Sequence, residues 1–376
     1  MNRTVVAAVA VTALAVSGAL VWLDARQERE YRRLVAAGDE ADTRGQTFEA
    51  IEAFSGALTL KPNSMIARLK RGDTYRRRGE FTAAVRDLTE AAALDPSAPR
   101  PLELLGDAHA ALGQHEAAAQ DYLNCLRLDD RAPRIFYKLG LAYYRAGDIP
   151  HAIDALSRAA SFDDQISEVH YLLGLSLRNR EPSSQAERAF RRALEIAPTF
   201  TAAREELVAL YNATGRSQNA IEQLEALAAL QPTRPEPLVR VGLAYARMGR
   251  RDAAILTLGR AAERHGDAEI VYTAIGRVWL DTAESQGDKI ALNKALGALA
   301  PLAVQPDARS ETLTLYGRAL YLSGNAAAAE RMLRRAVDQF PVEPSAFTYL
   351  AEAARRLRHT DLARDADARH AALTEP

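Results

Sequence analysis

The chain has 376 residues, 48 Lys+Arg against 49 Asp+Glu, and one cysteine. The near-zero net charge argues against a broad nucleic-acid or anionic-lipid surface, and the lone Cys125 excludes an internal disulfide. The length exceeds that of one closed core, so apolar burial is expected to be shared among several units. Only Lys61, Lys70, Lys138, Lys289 and Lys294 are lysines. The Ala- and Arg-rich usage fits a GC-rich bacterial genome better than phosphate recognition.

At the N-terminus, residues 4–23 carry no charge, about the length a helix needs to cross a bilayer. Arg3 precedes the run, and Trp22 sits near its end, where an aromatic ring suits the interface. Ser17-Gly18-Ala19 resembles a signal-peptide cleavage site. The run stays apolar past it, through Leu20-Val21-Trp22-Leu23, which favours a retained single-pass anchor. Arg26, Arg29, Arg32 and Arg33 outnumber Arg3, and the positive-inside rule then places the body in the cytoplasm. A very short head before a long soluble body is instead the layout of an exported domain. The expectation is a periplasmic body, with a cytoplasmic body or secretion after cleavage as alternatives. Residues 24–37 hold no Gly or Pro and alternate in charge, so the membrane helix is expected to run straight into the soluble body. Residues 1–30 thus form anchor and helical linker.

From residue 31 a period of thirty-four residues takes over. Gly38, Gly72, Gly106, Gly140 and Gly174 share one register; Gly242 and Gly276 return to it, and Gly317 holds it after an insertion. Ala50, Ala84, Ala118, Ala152, Ala186, Ala220 and Ala254 form a second ladder. Gly45, Gly79, Gly113, Gly147, Gly215 and Gly249 form a third. A fixed period of this size means stacked supersecondary units. Each unit reads as a helix with Gly at its eighth position, a turn with Gly at the fifteenth, and a second helix with Ala at the twentieth. A bulky residue occupies the twenty-fourth position. The eighth and twentieth positions are expected where two helices cross closely, and the fifteenth where φ is positive. Pro62, Pro96, Pro198, Pro232, Pro306 and Pro341 end second helices.

The pattern is explicit in Phe136-x-x-Leu139-Gly140-x-x-Tyr143 with Ala152, Leu156 and Ala159. It recurs in His170-x-x-Leu173-Gly174 with Ala186, Phe190, Ala193 and Pro198. In these residues the chain resembles the tetratricopeptide repeat (TPR) family. The resemblance implies an all-α, right-handed superhelical solenoid of about ten helix–turn–helix repeats. Units start at Tyr31, Met65, Pro99, Pro133, Ser167, Thr201, Pro235, Glu269, Ser310 and Pro344. Residues 31–268 hold seven regular units, 269–309 a divergent unit, and 310–376 two C-terminal units. In the divergent unit the turn is expected to be expanded, as a tolerated insertion, binding loop or hinge, and Pro301 falls in its second helix. Glu181-Pro182-Ser183-Ser184 replaces a turn glycine, with a serine N-cap expected. Asp367 occupies a normally bulky position, as suits a polar terminal cap.

No catalytic constellation stands out. None of the seven histidines forms a metal motif. His109, His170 and Cys125 occupy packing positions, and the repeated Gly-Asp pairs (Gly38-Asp39, Gly72-Asp73, Gly106-Asp107) read as a solvated ladder. The resemblance implies a non-catalytic scaffold that takes protein or peptide partners in a concave groove. No cofactor, nucleic acid or small-molecule substrate is expected; the membrane is met through the N-terminal helix. By the family's groove-facing positions, the central contact cluster is Arg134, Tyr137, Lys138, Tyr144, Arg145, Tyr171 and Arg178. Tyr and Arg are frequent interface anchors, and an acidic or C-terminal peptide would suit them. The competing account is that the tyrosines pack between helices and the arginines are solvated. A glycan- or polymer-binding subunit of an envelope secretion or polysaccharide system is the alternative function, since tyrosines can stack on sugars.

Overall fold

The computed structural model describes residues 3–180, 183–339 and 341–374, with side chains described from residue 16 onward apart from residue 18. The described residues form helices and no strand. They divide into two units, one through residue 198 and the other from residue 199.

The first unit holds five helix pairs. They are α1 (Arg3–Thr43) with α2 (Thr47–Leu60), α3 (Met65–Arg77) with α4 (Phe81–Leu94), and α5 (Pro99–Ala111) with α6 (His115–Leu126). Next come α7 (Pro133–Ala146) with α8 (Ile149–Phe162), and α9 (Ser167–Leu177) with α10 (Ser184–Ile196). The second unit opens with α11 (Thr201–Ala213) and α12 (Ser217–Leu230), then α13 (Glu236–Arg247) and α14 (Arg251–Arg264). It continues with α15 (Glu269–Gln286) and α16 (Lys289–Ala303), α17 (Ser310–Leu322) and α18 (Ala326–Val337), and α19 (Pro344–Arg356) and α20 (Thr360–Thr374).

Local chemistry sets these boundaries. Proline opens α5, α7 and α19, where its missing N–H has no intrahelical partner to lose. Ser64, Asp148 and Asn325 accept a backbone N–H from three residues on. Ser183 occupies the N-cap of α10 but makes no capping hydrogen bond; Glu181 and Pro182 lie outside the described residues. At the turns, Gly147 adopts φ +82° and its equivalents are likewise left-handed. The last turn has Arg358 in that place, at φ +64°.

Packing explains the eighth-position glycines. A Cβ on Gly140 would lie 2.6 Å from Leu156 Cγ, and one on Gly174 2.5 Å from a ring carbon of Phe190. Phe54, Leu88, Tyr122, Leu258, Leu299 and Leu333 cover Gly38, Gly72, Gly106, Gly242, Gly276 and Gly317 in the same way. In each of these pairs the bulky residue of the second helix lies over the small residue of the first. The alanines of the second ladder, Ala50 to Ala254, are fully buried beside it. In the sixth pair Val208 takes the glycine's place and is itself buried.

Two expectations change. The divergent unit does not contain an expanded turn: α15 runs on to Gln286, and the turn is only Gly287 and Asp288. Ala283, Glu284 and Gln286 are good helix formers and carry α15 on, and the Asp288 carboxylate caps α16 by accepting from Ile290 and Ala291 N–H. Pro301 does fall inside α16. Secondly, among the described residues no helix is long and apolar enough to cross a membrane. Most of the apolar run at 4–23 lies outside the described side chains.

Two substitutions test this packing. Gly140→Ala should cost about 1–3 kcal/mol by forcing Leu156 aside. Gly259→Ala, where an added Cβ meets nothing within 4 Å, should gain up to about 1 kcal/mol. Amide exchange of α7–α8 and of α14 separates the two; similar effects at both sites would contradict the packing account. Arg358→Gly should raise the protection of α19 and α20 by about 1 kcal/mol through relief of the left-handed arginine, and an unchanged exchange rate would show that no strain is held there.

Candidate functional site

The first helices of successive repeats are tied by ion pairs. Lys70 Nζ reaches Asp39 at 2.5 Å, and Lys138 Nζ reaches Glu103 at 2.7 Å and Asp107 at 2.9 Å. In the second unit Arg240 meets Glu205 at 2.8 Å, Arg277 meets Glu311 at 2.7 Å, and Arg318 pairs with Glu284. The expected solvated Gly-Asp ladder is therefore corrected. Asp39 and Asp107 bind the next repeat, and Asp73 holds Arg76 of its own helix at 2.6 Å. A carboxylate one unit away lies within reach of a long basic side chain, so proximity displaces water from the pair.

Of the seven residues of the expected cluster, these contacts withdraw three. Lys138 is neutralised between Glu103 and Asp107. Burial would raise the Glu103 carboxyl, but its hydrogen bonds from Lys138 and Arg100 hold it below the usual glutamate range. Tyr137 is half-buried against the core of α5–α9, and burial, then the Glu168 charge, push its phenol up. Tyr171 is half-buried too, its ring 6.0 Å from that of Phe190. Arg134 is exposed at the start of α7, away from the residues that converge.

Three converge. Tyr144 and Arg145, at the end of α7, share a groove of about 680 Å³ with Arg178 at the end of α9. Ile149 and Pro150, opening α8, and Leu175 supply its apolar wall, and Arg180 adds a third guanidinium. Arg145 and Arg180 have no ion-pair partner among the described residues. A groove with guanidinium forks, one phenol and an apolar wall is suited to a short segment carrying carboxylates and one apolar side chain.

Arg180 and the Ile149-Pro150 wall escaped the sequence reading because they come after the groove-facing positions and belong to turn and second helix. A second groove, about 600 Å³, lies in the second unit and was also missed. Asn212, Arg240, Leu243, Arg247 and Arg277 line it; all occupy the same inner-face positions that singled out units four and five, so the signal was present. Two of its arginines, Arg240 and Arg277, already hold carboxylates.

The remaining single residues are structural. His109 bonds Asp121 at 2.6 Å, His170 bonds Asp164 at 3.0 Å, and the Cys125 thiol is buried and pushed up to about 11 by that burial. Asp367, in the bulky position of the last helix, pairs with Arg355.

A family profile described as "Tetratricopeptide repeat" matches residues 35–99, 69–126, 171–235 and 316–375, and one described as "TPR repeat" matches 106–147. Among solved structures, the C-terminal part of a TPR repeat-containing protein from Cytophaga hutchinsonii is 17% identical, with 65% of this chain and 99% of that chain covered and a TM-score of 0.56. A tetratricopeptide repeat protein from Parabacteroides merdae is 18% identical, with 66% and 99% covered and a TM-score of 0.48. YrrB, a TPR protein with an unusual peptide-binding site, is 22% identical, with 49% and 94% covered and a TM-score of 0.43. At these identities the likeness is one of fold alone. No curated protein matches the chain.

The Lys138 tie has a pH signature. Glu103 is held below its ordinary pKa of 4.5, so its stabilisation is complete above that value and is lost as pH falls through the lower value of the folded chain. Amide protection of α5–α7 should decline over that acid range in the wild type. Lys138→Met should start lower at neutral pH and decline less steeply; coincident profiles would rule out the tie.

Proposed function

This chain belongs to the tetratricopeptide repeat family, and from that premise we propose that it is a non-catalytic scaffold or adaptor at a bacterial membrane. It holds a partner protein through an acidic peptide segment. The observation that carries the reading is the groove of Tyr144, Arg145, Arg178 and Arg180, where guanidinium groups stand beside an apolar wall. Elsewhere on the inner face Lys70, Lys138, Arg240 and Arg277 already hold carboxylates of a neighbouring repeat. An incoming acidic segment gains new charge-assisted bonds at Arg145 and Arg180, whereas at Lys138 it would have to displace existing ones. The C-terminal carboxylate of a peptide is one acceptor of the right shape.

Support for the membrane comes from the uncharged run at 4–23 and from Trp22 at its edge. The glycan alternative has less support, because Tyr137 and Tyr171 are packed and only Tyr144 lines the groove.

A display library of random peptides tests the reading. The wild-type chain should enrich sequences rich in Asp and Glu. Arg145→Glu combined with Arg178→Glu should lower affinity for a selected peptide by about tenfold or more and leave the helical circular dichroism intact. Selection of neutral sequences, or equal affinity in the double variant, would falsify the proposal.

A further inference from the structure

We propose that α1 is a rigid strut that seats the edge of the first repeat, at the turn spanning residues 61–64, in the phospholipid headgroup layer. This rests on the membrane reading above.

One stripe of α1, through Tyr31, Leu34, Val35 and Ala41, packs on Ala50, Phe54, Ala57, Leu58 and Ala67 of the next two helices. The stripe ends in a polar clamp. Gln27 donates its side-chain N–H to the Leu60 carbonyl, which would otherwise be left open at the end of α2. Lys61 bonds Glu28 and lies 4.7 Å above the Tyr31 ring, and the Tyr31 and Ser64 hydroxyls meet at 2.7 Å. Three side chains within five residues of α1 therefore grip a single turn of the first repeat.

Immediately before the clamp, Leu20, Val21, Trp22 and Leu23 are all more than half exposed. Beyond Leu23 the clamp runs from Gln27, about 6 Å along the helix, to Tyr31, about 12 Å along it, so the Leu60–Lys61 end of the turn is the part that reaches the headgroups. The headgroup layer on each side of a bilayer is about 5–8 Å thick. With no Gly or Pro between Leu23 and the clamp, nothing gives the chain slack to lift the repeat out of that layer. Arg26 stacks over Trp22 at 5.5 Å, and Arg29 is exposed one turn further on. Both stand at the depth of the phosphates, to which guanidinium groups donate readily, while Lys61 is held by Glu28. Their acidic neighbours are Asp24, Glu28 and Glu30, of which Glu28 is taken by Lys61 and Arg32.

The test places a fluorophore on Asn63→Cys, an exposed position in the turn. The native Cys125 is buried, so it does not compete for the label. The full chain is reconstituted in phosphatidylcholine–phosphatidylglycerol vesicles carrying a headgroup nitroxide. Strong quenching is expected. Inserting seven alanines after Asp24 nearly preserves the helical phase but raises the turn by about 10 Å, and quenching should fall several-fold. Equal quenching in both proteins, with both floating on the vesicles, would overturn the strut and leave the anchor standing. Failure of the unmodified chain to float would overturn the membrane reading itself, and the strut with it.

Discussion

Everything in the fold depends on one contact, repeated in pair after pair: a large side chain of the second helix seated directly on the bare backbone of a glycine in the first. Because the glycine has no Cβ, the two axes approach closely and the large residue is buried almost completely. The fully buried alanines beside it extend the close approach along the crossing. Such a contact is satisfied within one pair, so a pair keeps its shape while presenting apolar edges to the pairs before and after. The core clusters accordingly run across successive helices and not around a single centre. Two pairs are exceptions, the sixth with buried Val208 and the tenth with buried Ala351 in the glycine's place, and the sixth is the first pair after the division between the two units.

A second layer of interaction is electrostatic and joins first helices to first helices. It has a consequence for binding, since each basic residue drawn into the ladder is one fewer for a partner. The groove of Tyr144, Arg145, Arg178 and Arg180 holds two arginines, Arg145 and Arg180, that lack ion-pair partners among the described residues, as Arg247 does in the groove of the second unit.

Helix starts were legible almost to the residue: Met65, Pro99, Pro133, Ser167, Thr201, Glu269, Ser310 and Pro344 all open helices where the period places them. Their signals are steric and local, a proline that cannot continue a helix or a glycine that alone tolerates the turn. The inserted residues of the eighth unit were misread because a break in the period looks like a loop, although Ala283, Glu284 and Gln286 favour helix and Gly287-Asp288 already spelled a stop and a cap. The site was less legible. Position in the repeat tells which way Lys138 points, but not that Glu103 and Asp107 wait there. Half-burial of Tyr137 and Tyr171 likewise depends on what their neighbours bring. A period repeats directions faithfully and pairings only by accident.

The ladder of ion pairs also bears on how such a chain can change its length. Loss of a whole repeat leaves every glycine with its own covering residue, because both belong to one unit. Charge is less forgiving. If the fourth unit were lost, Leu172 would inherit the place of Lys138; Glu103 would keep only Arg100 of its own helix, and Asp107 would face a hydrocarbon side chain in place of the lysine. Recombination between repeats is thus filtered at the inner surface, where neighbours must match, while the crossings beneath accept any whole unit. The lineage of this array is accordingly expected to be written in its inner-face charges more than in its core.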